Sequence, residues 1–213
     1  MSLQKGRISY GVGDGGWCNC PHLYLCNYYP KELGPDELSS SLLRFKSGLA
    51  PDCDTWTVYA LDMLEKTPLP RGALVLRALH HHETCLTGNE GSSMDVLCAD
   101  LARRFGGRYA PWLLGKRRPT RAFRDIHTKA ERQLELEDVY YWQGKRDLQD
   151  RVEQVLLLDD IVTTGATLSA ILGVLHAALP GAGLLVFSLA RASPDRGLNV
   201  GLMRHGRGGA TSE

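Results

Sequence analysis

Apolar positions fall along this chain in two alternating patterns, short unbroken runs and helically spaced sets. Val155-Leu156-Leu157-Leu158 is an apolar run with a β-branched start and no helical spacing, which predicts a strand buried on both faces. Ala73 to Leu79 (ALVLRAL) and Leu184 to Ala190 (LLVFSLA) predict two more core strands. Leu168, Ile171, Leu172, Leu175 and Leu179 recur at helical spacing behind the first run. Asp36 is placed to cap a helix, PDELSSSLLRFKSG, that ends at Gly48. Asp54 is placed to cap another, DTWTVYALDMLEK, with Trp56, Tyr59, Ala60 and Met63 near one face and Pro68 and Pro70 at its end. MDVLCADLARRFGG predicts a third helix, closed by Gly106-Gly107. Strands alternating with helices predict an α/β protein with a parallel sheet. The segment 1–35, rich in Gly, Tyr, Asn and Pro, predicts an irregular appendage with at most a short edge strand at Tyr24-Leu25 or Tyr28-Tyr29. The main domain is expected over 36–200, and the polar, Gly-rich stretch 201–213 as a disordered tail.

The chemistry gathers where the first run ends. Asp159 and Asp160 stand at the strand exit, followed after two spacers by Thr163, Thr164, Gly165, Ala166 and Thr167, where the helix starts. Free N–H groups at a helix start and the positive end of its dipole favour an anion there. The threonine hydroxyls add donors, and Gly165 lets the backbone approach a ligand. Ionised carboxylates only accept hydrogen bonds, so the aspartates suit vicinal hydroxyls while the loop suits a phosphate. A Walker-type Gly-x4-Gly-Lys-Ser/Thr spacing is absent.

The residues LLLDDIVTTGAT resemble the phosphoribosylpyrophosphate (PRPP) loop of the type I phosphoribosyltransferases, with every position of that pattern filled. The resemblance implies that family's α/β fold, with a parallel sheet and a small N-terminal hood. It implies that Asp159 and Asp160 hold the ribose hydroxyls, and that residues 163–167 hold the 5′-phosphate. It further implies Mg²⁺ as cofactor, held directly or indirectly by Asp159 and Asp160, with PRPP and a small-molecule nitrogen base as substrates. The reaction would be phosphoribosyl transfer to that nitrogen with release of pyrophosphate. Members that act on 6-oxopurines carry an Asp at the first loop position; Thr163 stands there, which disfavours a hypoxanthine or guanine acceptor. The layout is most similar to the ComF-like branch, associated with DNA uptake, through LLRFKSG, ALVLRALHHH, GKRRPTR and VLLLDDIVTTGATL. That branch's N-terminal C-x2-C ribbon is absent in that form. The same fold also serves in proteins that sense PRPP or a nucleotide without turnover, so a binding protein is the alternative expectation.

A second strand–loop–helix unit runs through ALVLRAL, then His80-His81-His82, then CLTGNEGSS. In the family this loop faces the pyrophosphate, so the histidines are its candidate residues here. They replace the usual Arg-rich segment, which favours the non-catalytic alternative. Three successive residues of a strand alternate in direction and cannot all face one ion. Residues 115–132 carry seven Lys/Arg (Lys116, Arg117, Arg118, Arg121, Arg124, Lys129, Arg132) against Asp125 and Glu131. Such a stretch is expected to be mobile when free and to fold over a charged substrate, with Lys116 or Arg117 meeting the pyrophosphate. An arm already packed without ligand would instead suit a contact in a homodimer.

Composition narrows the classes without choosing among them. In 213 residues the net charge is +1, so no global field favours nucleic acid or an acidic membrane surface. No apolar run approaches the ~20 residues of a membrane span, and the N-terminus shows no apolar signal region. A cytoplasmic protein with reduced thiols is therefore expected. Cys18, Cys20, His22 and Cys26 form C-x-C-x-H-x3-C, a set of zinc-ligand types without the usual C-x2-C spacing; zinc binding and buried thiols in a turn-rich segment both remain open.

Overall fold

The computed structural model describes residues 3–193 apart from 31, 32, 35, 68, 70, 89, 90, 123–125, 127, 146, 147, 149 and 150, and apart from the side chains of Asp14 and Lys129. The expected tail, 201–213, lies outside the described residues. The strands are β1 (Gln4–Val12), β2 (Gly16–Tyr28), β3 (Leu74–Arg77), β4 (Arg108–Tyr109), β5 (Leu114–Lys116), β6 (Tyr140–Trp142), β7 (Gln154–Val162) and β8 (Gly183–Ala192). The helices are α1 (Glu37–Lys46), α2 (Ala50–Glu65), α3 (Ser93–Arg104), α4 (Lys129–Leu136) and α5 (Ala166–Ala178). Six strands form one sheet in the order β1-β2-β8-β7-β3-β4. Only β1 and β2 pair antiparallel within it; every other neighbouring pair is parallel. β5 and β6 form a separate antiparallel pair. The protein is thus α/β with a mostly parallel sheet.

Apolar side chains leave both faces of this sheet, which is why its central strands read as unbroken runs. On one face Val155, Leu157 and Val186 pack with Leu168, Ile171, Leu172 and Leu175 of α5. On the other, Leu156, Leu158 and Phe187 pack with Leu42, Phe45, Ala60, Met63, Leu97 and Leu101 of α1–α3. α1 begins where its sequence signal stands, because Asp36 Oδ1 accepts from Ser39 N–H at 2.7 Å. α3 is held by a reciprocal capping box between Ser92 and Asp95. α2 starts earlier than Asp54, at Ala50, with Pro51 in its first turn, a place where proline's missing N–H costs nothing.

The N-terminal segment departs from its expected irregularity. Residues 4–28 form a long antiparallel ribbon whose second strand extends the main sheet beside β8. Its strand character comes from that pairing: β2 reads GWCNCPHLYLCNY, with little alternation, yet Leu23, Leu25 and Cys26 are buried against the sheet's own core. α5 lies over the ribbon, with His176 edge-on to Tyr10 at 5.7 Å.

Candidate functional site

The two aspartates sit at the carboxyl end of β7, and the Lys46 charge acts on both. Asp159 is the register partner of Ser188, and its charge acts on Tyr140, beside α5. Asp160 is buried on the α1 side, where its Oδ2 meets Lys46 Nζ at 2.6 Å. No aligned hydrogen bond reaches that oxygen, so the contact is an ion pair. Asp160 Oδ1 accepts from Ile161 N–H at 2.6 Å, and Asp159 Oδ1 from Asp160 N–H at 3.0 Å. Burial, then the Asp160 charge, push the Asp159 carboxyl well above the usual carboxylate range, with Lys46 pulling the other way. Burial disfavours the Lys46 ammonium, but Asp160 outweighs it and the lysine titrates higher than usual.

The chain then turns through 163–165 into α5. Gly165 has φ +77°, a left-handed conformation that side-chain-bearing residues rarely adopt. A Cβ there would also stand 3.2 Å from Ile8 Cδ1. Thr163 and Thr164 are exposed, while Gly165, Ala166 and Thr167 are half-buried. No side chain caps α5. Ala166 N–H meets Thr164 Oγ1 only at 3.4 Å, and Ser169 N–H donates to Gly165 O at 2.8 Å. The amides of 166–168 therefore precede the first helical bond, the position from which N–H groups at a helix start can donate to an anion. A surface cleft lined by Val58, Asp62, Asp100 and Arg103 includes none of these residues.

Beyond β3 the second loop is locked by a buried charge network that sequence reasoning missed. Arg77, 1% exposed, donates from Nε to Asp95 Oδ1 at 2.6 Å, and from Nη1 and Nη2 to the two oxygens of Glu83 at 2.8 and 2.9 Å. Asp95 also accepts from Ser92 Oγ at 2.6 Å and from the Tyr109 hydroxyl. Burial raises the pKa of both carboxyls, but hydrogen bonds, those of Arg77 foremost, outweigh it and hold both below the ordinary range. Glu83 Oε2 accepts His80 N–H at 2.6 Å, closing the turn. The only hint in the sequence was an arginine within an apolar strand.

This turn decides where the histidines stand. His80 is half-buried; burial pulls its pKa down, with the Asp160 charge opposing. His81 and His82 are exposed, their rings 5.1 Å apart. The His80 ring stacks with that of His82 at 6.0 Å.

The described part of the basic arm is pinned where the arm was expected to be free. Lys116 is buried, not poised at a mouth: its Nζ donates to His80 O at 2.7 Å and lies 5.5 Å over the Tyr140 ring. Burial pulls its pKa down to about 8. Arg117 is exposed and lies 5.4 Å over Tyr141. Arg118 and Arg121 both pair with Glu135 at 3.0 Å. Arg121 N–H first, then the two guanidinium groups, hold the Glu135 carboxyl at about 2 against burial. Thr120 N–H donates to His81 O at 2.8 Å, tying arm to loop. The repulsion expected among the cations is relieved by Glu135 from α4. Arg124 lies outside the described residues.

Two metal expectations meet the same geometry. Cys18, Cys20, His22 and Cys26 lie along β2, whose rise of about 3.3 Å per residue spreads them over roughly 26 Å. Among the described residues no group of three or more His, Cys, Asp or Glu could hold a metal ion. Cys20 and Cys26 Sγ instead donate to Leu184 O and Leu189 O of β8 at 3.2 and 3.7 Å. Where magnesium was expected, directly or indirectly at Asp159 and Asp160, one acceptor is engaged by a cation of the chain itself, Asp160 Oδ2 by Lys46.

No family model and no curated protein matches the chain. Among solved structures, a crystal structure of adenine phosphoribosyltransferase aligns over 91% of this chain and 86% of that one, with 16% identity and a TM-score of 0.39. At that score the likeness leaves substrate and acceptor to the site itself. No helix among the described residues is long and apolar enough to cross a membrane.

Proposed function

We propose that this chain binds PRPP, or a nucleotide 5′-phosphate, at the start of α5 and transfers the phosphoribosyl group to a nitrogen acceptor. The observation that carries the reading is the uncapped, left-handed turn at Gly165 beside two carboxylates at the end of a buried strand. Residues 163–167 would hold the phosphate by N–H and O–H donors, and Asp159 would accept from a ribose hydroxyl. Asp160 would act through Lys46, either held by it or released from it as the sugar binds. The bond from the anomeric carbon to pyrophosphate breaks as the nitrogen's lone pair forms the new one, and the nitrogen's proton passes to solvent. Catalysis would rest on positioning and electrostatics. Magnesium enters as part of the substrate, Mg²⁺–PRPP. Thr163 supports an acceptor other than a 6-oxopurine.

A second reading has its own support. The cations nearest the second loop are committed: Arg77 to two carboxylates, Lys116 to a backbone carbonyl. With little positive charge left for a leaving pyrophosphate, the site suits a PRPP or nucleotide sensor, including an accessory of DNA uptake. Calorimetry with Mg²⁺–PRPP tests the shared premise. Thr164→Val with Thr167→Val should weaken binding about tenfold or more, since hydrogen bonds to charged groups contribute roughly 1.5–3 kcal/mol each. Unchanged affinity would overturn both readings. Pyrophosphate release across a panel of nucleobases separates them: release supports transfer, and binding without release supports sensing.

A further inference from the structure

Three side chains converge on the bare Cα of Gly6 in β1. A Cβ there would stand 2.7 Å from Arg191 Nη1, 3.6 Å from Tyr24 Cε1 and 3.7 Å from His22 Nδ1. His22 is fully buried, with Nε2 2.8 Å from Ser188 Oγ. Ser188 Oγ in turn donates to Ala190 O at 3.0 Å. A hydroxyl has one proton, so Ser188 accepts from His22, which places the imidazole proton on Nε2. Nδ1 is then a buried acceptor without a hydrogen-bond partner, turned to the space that Arg191 enters. Burial, then the Arg191 charge, push the His22 pKa down to about 4, which keeps the ring neutral.

Arg191 is half-buried and has no carboxylate partner among the described residues. Its position relates it to the turn before α5. It is the register partner of Val162, the residue from which that turn departs. Gly6 and Ile8 share a face of β1, and Ile8 packs under Gly165. Two residues of strand put the guanidinium's resting place about 7 Å along from the turn. The segment TTGAT offers amides and hydroxyls but no full positive charge, which a phosphate dianion calls for.

We infer that Arg191, laid on Gly6 and backed by the neutral imidazole of His22, is a further ligand-binding residue whose guanidinium takes the phosphate held at 163–167. This rests on the phosphate-loop reading above. Gly6 is required because any Cβ there displaces the guanidinium, and His22 because a charged ring would repel it.

The test is calorimetric titration with ribose 5-phosphate. Arg191→Gln should weaken binding about tenfold or more, as loss of charged hydrogen bonds does. Gly6→Ala keeps the charge and moves it, and should weaken binding several-fold. Both should leave the thermal midpoint unchanged, since no ion pair is lost and only the free end of a side chain shifts. Arg191→Lys should restore part of the affinity. If Arg191→Gln does not fold, Gly6→Ala with Arg191→Lys decides. Wild-type affinity in Gly6→Ala and Arg191→Gln, with binding lost in the Thr164→Val/Thr167→Val variant, would overturn this inference and leave the loop reading intact. A wild-type protein that binds neither ribose 5-phosphate nor PRPP would overturn both.

Discussion

Replacing Arg77 by methionine would leave two carboxylates in the interior without their cation. Arg77 makes five hydrogen bonds: to Asp95 at 2.6 and 3.3 Å, to Glu83 at 2.8 and 2.9 Å, and to Ala78 O at 3.1 Å. Side-chain exposure is 1% for Arg77, 4% for Asp95 and 14% for Glu83, so water replaces little of what is removed. Breaking a buried pair by deleting one partner costs about 3–5 kcal/mol, against a total stability on the order of 5–15 kcal/mol. For a chain of this size that predicts a fall in Tm of roughly 6–20 °C. The pH dependence has a definite sign. In the wild type both carboxyls titrate below their unfolded values, so their stabilisation is present above the unfolded pKa and lost as pH falls through the folded one. In the variant the hydrogen bonds from Ser92, Tyr109 and His80 N–H remain but Arg77 no longer outweighs burial, the largest influence on both carboxyls, so they rise, acid relieves the penalty and the gap narrows from pH 7 to pH 5. Arg77→Met/Glu83→Gln/Asp95→Asn removes the stranded charge and should regain most of the loss. Urea unfolding at both pH values measures this. A loss under about 1 kcal/mol at pH 7, with unchanged m, would refute the reasoning.

Asp159→Asn should raise Tm at pH 7.5, because a carboxyl whose folded pKa lies above its unfolded value loses stability as pH rises between the two; the gain should vanish near pH 4, and a gain that persists there would show a different cause. His22 has the opposite slope: with its pKa at about 4 in the fold against 6.5, the wild type should lose stability as pH falls from 6.5 to 4, by at most about 3 kcal/mol, and His22→Gln should flatten that window in thermal melts. Glu135→Gln should unpin the described part of the basic arm and speed trypsin cleavage after Arg117 and Arg121 several-fold, whereas equal rates would mean that the ion pairs do not hold it.

The parts whose signals are local were legible in the chain before any folding. An unbroken apolar run specifies a central strand because both faces of such a strand are covered, and β7 lies where its run stands, extended through Asp159 and Asp160 to Val162. Asp36 starts α1 and Gly106 turns the chain after α3 for the same reason: caps and left-handed turns are chemistry of a few neighbouring residues. The turn into α5 was legible on that ground. What lies opposite each group follows from the packing of distant segments. Lys46 reaches Asp160 from a helix far away in the chain, and Arg77 gathers Glu83 and Asp95, because packing α1 and α3 on one face of the sheet brings them together. Strand β2, without regular alternation, is a strand because β8 offers it an edge to pair with. Lys116, expected to meet a ligand, is a buried amine for the same kind of reason, as the fold brings His80 O and the Tyr140 ring to its Nζ. Local propensity acts over a few residues, while burial and charge pairing depend on which distant segments the fold places side by side.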